Sequence, residues 1–235
     1  MNEEADQTET MLRISCDAKA AVKVGDFSRQ GVSRLPVEAA DHDFKPDEVV
    51  IPYGIFVPKL DELSLYLCRS KVTADCIVDC LDDWWQKNKV RFPDVTMLVI
   101  NQDNGPENHS RRTQYMKRIL EFVHAQQMDI RLAYYPPYHS KYNPVERCWG
   151  VLEQHWNGSL LSDLQTVVGF AQSMTWRGHS PIVEIVNQSY DTGRRLTQAL
   201  MRQVETQLSR FESLGRWFID IRCSNLHQCS LNLLE

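Results

Sequence analysis

From Leu12 to Val24 the apolar residues Leu12, Ile14, Cys16, Ala18, Ala20, Val22 and Val24 fall on even positions, and Arg13, Ser15, Asp17, Lys19 and Lys23 on odd ones. Alternation of this kind places successive side chains on opposite faces of a strand, so the stretch predicts one strand with Asp17 on its polar face, ended by Gly25-Asp26. Ser28 to Pro52 mixes glycine, prolines and charges without a period and predicts a long surface excursion. Tyr53 to Val57 and Leu63 to Cys68 are rich in aromatic and branched residues and are joined by a five-residue polar link, Pro58-Lys59-Leu60-Asp61-Glu62; they predict two antiparallel strands. Thr73 then caps a helix with Asp75 in its first turn, Ile77, Leu81 and Trp84 or Trp85 on one face, and Lys87 and Lys89 at its end. Met97 to Ile100 is too short for a buried helix and runs into the turn Asn104-Gly105, so it predicts a buried strand. Met116, Ile119, Leu120 and Val123 have helical spacing and predict a second helix from about Ser110, with Arg111 and Arg112 in its first turn. Ile130, Leu132 and Tyr134 alternate as a fifth strand, stopped by Pro136-Pro137. A third helix starts with Asn143 as cap and Pro144 as first residue, its apolar face being Val145, Trp149, Leu152 and Trp156. Further on, Leu196, Leu200, Val204, Leu208 and Phe211 predict a long amphipathic helix, and Trp217, Ile219 and Ile221 a short strand.

Three strands, helix, strand, helix, strand, helix is an α/β order. It predicts a mixed five-stranded sheet in which the first and fourth strands can be neighbours, followed by a helical C-terminal extension. A chain of 235 residues with 43% hydrophobic residues can build such a core. No stretch approaches the roughly 20 apolar residues of a membrane span, and the acidic start from Met1 to Thr10, expected to fray, lacks a signal-peptide pattern. A cytoplasmic, intracellular location is therefore expected. The 7 cysteines are an odd number in a chain too large to need disulfide staples, which suits free thiols in a reducing compartment. Cys76 and Cys80 stand one helical turn apart, but no second pair with ligand spacing lies near them in sequence, so they read as core thiols. Cys223, His227 and Cys229 fall in a stretch to Glu235 without a pattern and read as tail. A net charge of -5 argues against a chain-wide basic surface for nucleic acid, while leaving room for a local basic groove.

The candidate chemistry lies in three carboxylates. Asp17 is an aspartate in mid-strand, where this residue type is depleted; its ordinary explanation is an edge residue paired with Lys19. Asp103 ends a strand at the edge of a sheet, where ligands often bind, although a turn aspartate capping its own loop has the same appearance. Glu146 opens a helix, and Asn143-Pro144-Val145-Glu146 by itself reads as a capping box. A helix packed across the first and fourth strands would bring Glu146 toward Asp17 and Asp103, making one pocket of hard oxygen ligands. Such ligands suit Mg2+ or Mn2+, and two ions about 4 Å apart clamp the attacking and leaving oxygens of a phosphoryl displacement. Without metal, three close carboxylates repel, and at least one is expected to keep its proton.

These residues also carry a resemblance. Asp17-Ala18-Lys19, Asp103-Asn104-Gly105-Pro106-Glu107-Asn108, and Tyr135-Pro136-Pro137-Tyr138 with Asn143-Pro144-Val145-Glu146-Arg147-Cys148-Trp149 resemble the three blocks of DDE transposases with an RNase H-like, retroviral-integrase fold. Gly25-Asp26-Phe27-Ser28-Arg29 and Ser110-Arg111-Arg112-Thr113-Gln114 narrow the likeness to Rhodopirellula-type insertion-sequence transposases. The resemblance implies a catalytic domain over residues 12–160, a helical extension over 161–222 and a tail over 223–235, after a disordered start over 1–11. It implies metal-dependent hydrolysis at a transposon end followed by attack of the freed 3′-hydroxyl on target DNA, with Asp17, Asp103 and Glu146 holding two Mg2+ or Mn2+ ions. It further implies phosphate contacts from Lys19 and Arg147, a role for Asn104 in orienting Asp103 or lining the pocket, and action as a homo-oligomer on DNA; Arg111 and Arg112, cations in the first turn of a helix, and Lys141 are further candidate DNA contacts, although a merely solvated arginine pair has the same appearance. Family members place a helix-turn-helix region ahead of this domain, whereas Asp17 here follows only 16 residues, so a truncated copy that holds DNA weakly is expected. The carboxylates alone fit equally a nuclease of the same fold that cuts without joining. A reading from another class is a non-catalytic remnant serving as a DNA-binding or oligomerising module.

Overall fold

The structure is a computed structural model that describes residues 2–27, 46, 48–136 and 142–225. The expected strand at the start is two strands, β1 (Met11–Ala18) and β2 (Val22–Val24), because the chain breaks at Lys19-Ala20-Ala21. Of its even positions Leu12, Ile14, Cys16, Val22 and Val24 are buried as the alternation requires, whereas Ala18 and Ala20, at the break, are exposed. β3 (Glu48–Val57) begins earlier than expected, so residues 48–52 are sheet rather than excursion; most of the remaining excursion, with Ser28 and Arg29, lies outside the described residues. β4 (Glu62–Cys68) completes the antiparallel set.

Before β1 comes a short helix, α1 (Asn2–Gln7), where a frayed start was expected. It is ordered because Ala5 is buried against Met97 and Val99 and Asp6 pairs with Arg13 at 2.7 Å. α2 (Ala74–Asn88) is capped by Thr73, whose side chain accepts from the Cys76 N–H. β5 (Met97–Gln102), α3 (Thr113–Gln126), β6 (Asp129–Tyr134) and α4 (Pro144–Trp156) follow in the expected order. α3 starts after Arg111 and Arg112 rather than containing them, and it stops where Gln127 turns left-handed at φ 51°.

The C-terminal part departs most from expectation. It contributes α5 (Leu164–Ser173), β7 (Ile182–Val186), α6 (Gln198–Glu205), β8 (Leu208–Arg210) and β9 (Phe218–Ile221). The long amphipathic helix is thus only the eight residues of α6, and Leu208 is sheet. Instead of five strands, the described residues give nine, in the order β7-β4-β3-β1-β5-β6-β9-β8 with β2 paired to β3. The extension widens the sheet at both edges: β7 runs parallel to β4, and β9 antiparallel to β6. Pairing satisfies edge N–H and C=O groups, which is why apolar alternation in a sequence-distant segment ends up here.

Two layers of helix enclose the sheet. Leu12, Ile14 and Cys16 of β1 and Leu98 and Ile100 of β5 pack with α2 and α3 in one core. The second core joins Phe56, Leu63, Leu65 and Leu67 to Val145, Cys148, Trp149, Leu152 and Trp156 of α4 and to α5. No helix among the described residues is long and apolar enough to cross a membrane. His227, Cys229 and the rest of the tail beyond residue 225 lie outside the described residues.

Candidate active site

β1 and β5 are adjacent and parallel, with Ser15 beside Asn101. Asp17 stands two residues further along β1 and Asp103 just past the end of β5, so the register brings both carboxylates to the same end of the sheet. Asp17 is on the polar side of β1, and α4 lies across that side.

A buried side-chain bridge holds α4 there. Asn143 is fully buried and does not cap its helix with its side chain. Its Nδ2 donates to the Cys16 carbonyl at 3.1 Å, and its Oδ1 accepts from Ser15 Oγ at 2.5 Å. Ser15 Oγ in turn accepts from the Val145 N–H at 3.0 Å. The capping-box reading of Asn143 therefore gives way: the side chain is spent on β1, and it seats the first turn of α4 with Glu146 beside Asp17. Gly54, the cross-strand partner of Asp17, makes the approach possible. A Cβ there would stand 2.7 Å from Trp149 Cη2 and 2.9 Å from Val145 Cγ2, closer than packed atoms tolerate. With the ring seated over glycine, Trp149 Nε1 donates to Asp17 Oδ2 at 2.8 Å.

Asp103 is held from its own loop. Asn108 Nδ2 donates to the Asp103 carbonyl at 3.2 Å, with a longer contact of 3.4 Å to Oδ1, and to Gln102 Oε1 at 3.2 Å. Tyr134 anchors this arrangement by donating to the Asn108 carbonyl at 2.9 Å. Gly105 leaves space for it, since a Cβ there would lie 2.8 Å from Asn108 Oδ1. Asn104, expected beside Asp103, instead accepts from the Ser110 N–H at 3.0 Å and pins the far end of the loop. The residue in contact with the Asp103 carboxylate is Asn108.

Two of the three carboxylates are shifted by burial and by neighbouring charge. Burial pushes Asp17 up from 3.8 to about 7; the Trp149 hydrogen bond opposes this, and the charges of Glu146 and Asp103 add to it. Glu146 is also raised, by burial and then by Asp103, with Lys19 opposing. Their oxygens do not all lie within 4.8 Å of one another; among the described residues that spacing is met by Cys68, Cys76 and Cys80. Acceptor-only oxygens on three mutually repelling groups are the donor set that a hard divalent cation neutralises, so the residues fit such an ion.

The expected DNA contacts divide. Lys19 Nζ pairs with Glu153 Oε1 at 2.5 Å, close to Glu146. Arg112 is largely buried and pairs with Glu107 Oε2 at 2.9 Å, which gives it a structural position rather than a surface one. Arg111 and Arg147 are exposed, Arg147 being next to Glu146 on α4. Lys141 lies outside the described residues. Ser15, Gly54, Asn108, Asn143 and Trp149 were not assigned to the site from sequence; only Asn108, Asn143 and Trp149 stood within the quoted blocks as a signal.

The chain is similar in fold to the Mos1 transposase paired-end complex with left transposon end, at 10% identity and a TM-score of 0.51, over 72% of this chain and 49% of that one. A second solved structure, the Mos1 mariner paired end complex with Mn, aligns at 9% identity with a TM-score of 0.42, over 69% and 46%. The chain thus spans about half the length of the solved transposase. The shared fold is the RNase H-like one. No curated protein matches significantly. The family model of the Rhodopirellula transposase DDE domain matches residues 1–223, nearly the whole of the 235 residues. By that match the chain belongs to the family of Rhodopirellula-type DDE transposases.

Proposed function

We propose that this chain is the catalytic unit of a transposase that cleaves DNA at an element's end and joins the freed end to target DNA. What supports the reading is that Glu146 on α4 and Asp103 in the loop after β5 are near enough for their charges to act on Asp17 of β1, which burial, helped by those charges, raises to about 7. Asp17 and Asp103 would hold both of two Mg2+ or Mn2+ ions and Glu146 would complete one. When bound, the metal supplies charge neutralisation for the phosphate and activation of the attacking oxygen. The chain's own part is placement. Trp149 fixes one oxygen of Asp17, Asn108 restrains Asp103, and the Asn143 bridge keeps Glu146 over the strand ends. Arg147 and Arg111, both exposed, are suited to phosphate, and Lys19 tempers the charge of Glu146. The Mos1 neighbour, a paired-end complex with a transposon end, supports action on DNA.

The test is incubation of the protein with labelled transposon-end DNA and a supercoiled target plasmid in Mg2+ or Mn2+, beside Asp103→Ala. Joined products that vanish in the variant support transposition. Cut but unjoined products move the reading to a nuclease. If neither product forms and divalent metal leaves the melting temperature unchanged, the chain is a non-catalytic binding module.

A further inference from the structure

A second cluster of ligand atoms lies on the opposite face of the sheet from the carboxylates. Cys68 is the last residue of β4, and Cys76 and Cys80 occupy the first and second turns of α2. Sequence spacing shows only the last two as a pair; the turn between β4 and α2 adds Cys68. All three are buried, their sulfurs lie within 4.8 Å of one another, and Cys68 Sγ is 3.5 Å from Cys76 Sγ. Zinc held at about 2.3 Å by thiolates sets its sulfurs about 3.8 Å apart in a tetrahedral site, so these thiols already stand near ligand spacing. The other described buried cysteines, Cys16 and Cys148, belong to no such group. A core needs no convergence of thiols, because a buried cysteine packs as a small apolar residue wherever it stands.

Access and charge suit a cation. Cys80 lines a cleft of about 490 Å³ along α2, whose walls include Asp79, Asp82, Asp83 and Glu184, with Lys87 the cation among them. Although Lys87 pairs with Asp83 and Glu184, and Arg118 with Asp79, the walls stay net acidic and favourable to a divalent ion. Hydrogen bonds within the trio and burial hold Cys76 and Cys80 above the ordinary thiol range, so a bound ion has to displace their protons. Soft sulfur ligands distinguish this cluster from the hard oxygens across the sheet.

We propose that Cys68, Cys76 and Cys80 form a structural zinc site, with a water from the cleft as fourth ligand, that fastens the end of β4 to the first two turns of α2. Each thiol releases its proton to solvent as the ion binds, so uptake weakens as pH falls.

The experiment uses the full chain, kept reduced, carrying Asp103→Ala so that the carboxylates do not compete for the ion. Chelator-treated protein is titrated with zinc against a colorimetric competitor and separately with cobalt(II). One zinc per chain is expected, with thiolate-to-cobalt charge-transfer absorption and, at about 100 times the dissociation constant, a rise in melting temperature of about 5–10 °C. Cys76→Ser lowers the affinity at least about 100-fold, whereas Cys148→Ser retains it. Alkylation mapped by mass spectrometry guards against misfolding of the serine variant: zinc protects Cys68, Cys76 and Cys80 in the chain with all its cysteines. No retained zinc, a cobalt complex without thiolate absorption, unprotected thiols, or uptake of copper(I) with refusal of zinc overturns the proposal.

Discussion

Replacing Asp17 by asparagine removes one charge from the carboxylate cluster while keeping an oxygen for Trp149 Nε1 to donate to, and its effect can be worked from the structure. In the fold Asp17 is held at about 7 against an ordinary 3.8. At about 1.4 kcal/mol per pH unit, keeping the side chain ionised in the fold costs up to about 4 kcal/mol above pH 7, and solvent around this half-buried group trims that to about 2–4 kcal/mol. The sign follows from proton counting. Between 3.8 and about 7 the folded chain holds a proton that the unfolded chain has lost, so stability from neutral Asp17 is complete below 3.8 and is lost as pH rises through 7. Asp17→Asn keeps the neutral form at every pH. In chelator at pH 8 it is therefore expected to melt about 5–10 °C above the parent. The gain falls below about 2 kcal/mol at pH 5 and vanishes near the ordinary carboxylate range. Saturating Mg2+ reverses the order, since it stabilises the parent and leaves the variant unchanged. Paired thermal and urea unfolding at pH 4, 5 and 8, with and without Mg2+, measures all of this. A variant no more stable than the parent at pH 8 without metal, or a gain independent of pH, would refute the raised, partly buried Asp17 carboxyl on which the reasoning rests.

Two further substitutions address the packing that brings Glu146 to the strands. Gly54→Ala drives a methyl into Trp149 and Val145; it is expected to cost about 1–3 kcal/mol in urea unfolding and to lower DNA cleavage more than stability, because α4 must shift away from Asp17. Asn143→Ala leaves the Cys16 carbonyl and the Ser15 hydroxyl without their buried amide partner and is expected to cost about 1–3 kcal/mol, with weaker Mg2+ stabilisation because the first turn of α4 is then tied to β1 only through the Val145 N–H on Ser15; unchanged metal stabilisation would exclude the bridge as a positioning device.

The sequence by itself determined most of the local elements and marked the carboxylates that the proposed chemistry would use. Alternation at Leu12, Ile14 and Cys16 marks a strand because a strand has a period of two, and Val145, Trp149, Leu152 and Trp156 mark a helix face because neighbours there recur every three or four residues. Asp17, Asp103 and Glu146 stand out as charged residues at element positions that disfavour or expose them. What only the tertiary structure decided is which distant residues meet. The segments 182–186 and 208–210 are short enough to be read as anything until a sheet edge offers them hydrogen-bond partners, which is why the extension was expected to be helical up to the short strand at 217–221, and two strands more are found. Gly54 has no sequence signal for its purpose, since the atom it must exclude belongs to Trp149 on another element. Asn143 looks like a cap because cap and bridge use the same side chain at the same position, and only the presence of Ser15 and Cys16 beneath it separates them. Cys68 joins Cys76 and Cys80 for the same reason: a turn of the chain, not a spacing, puts their sulfurs together.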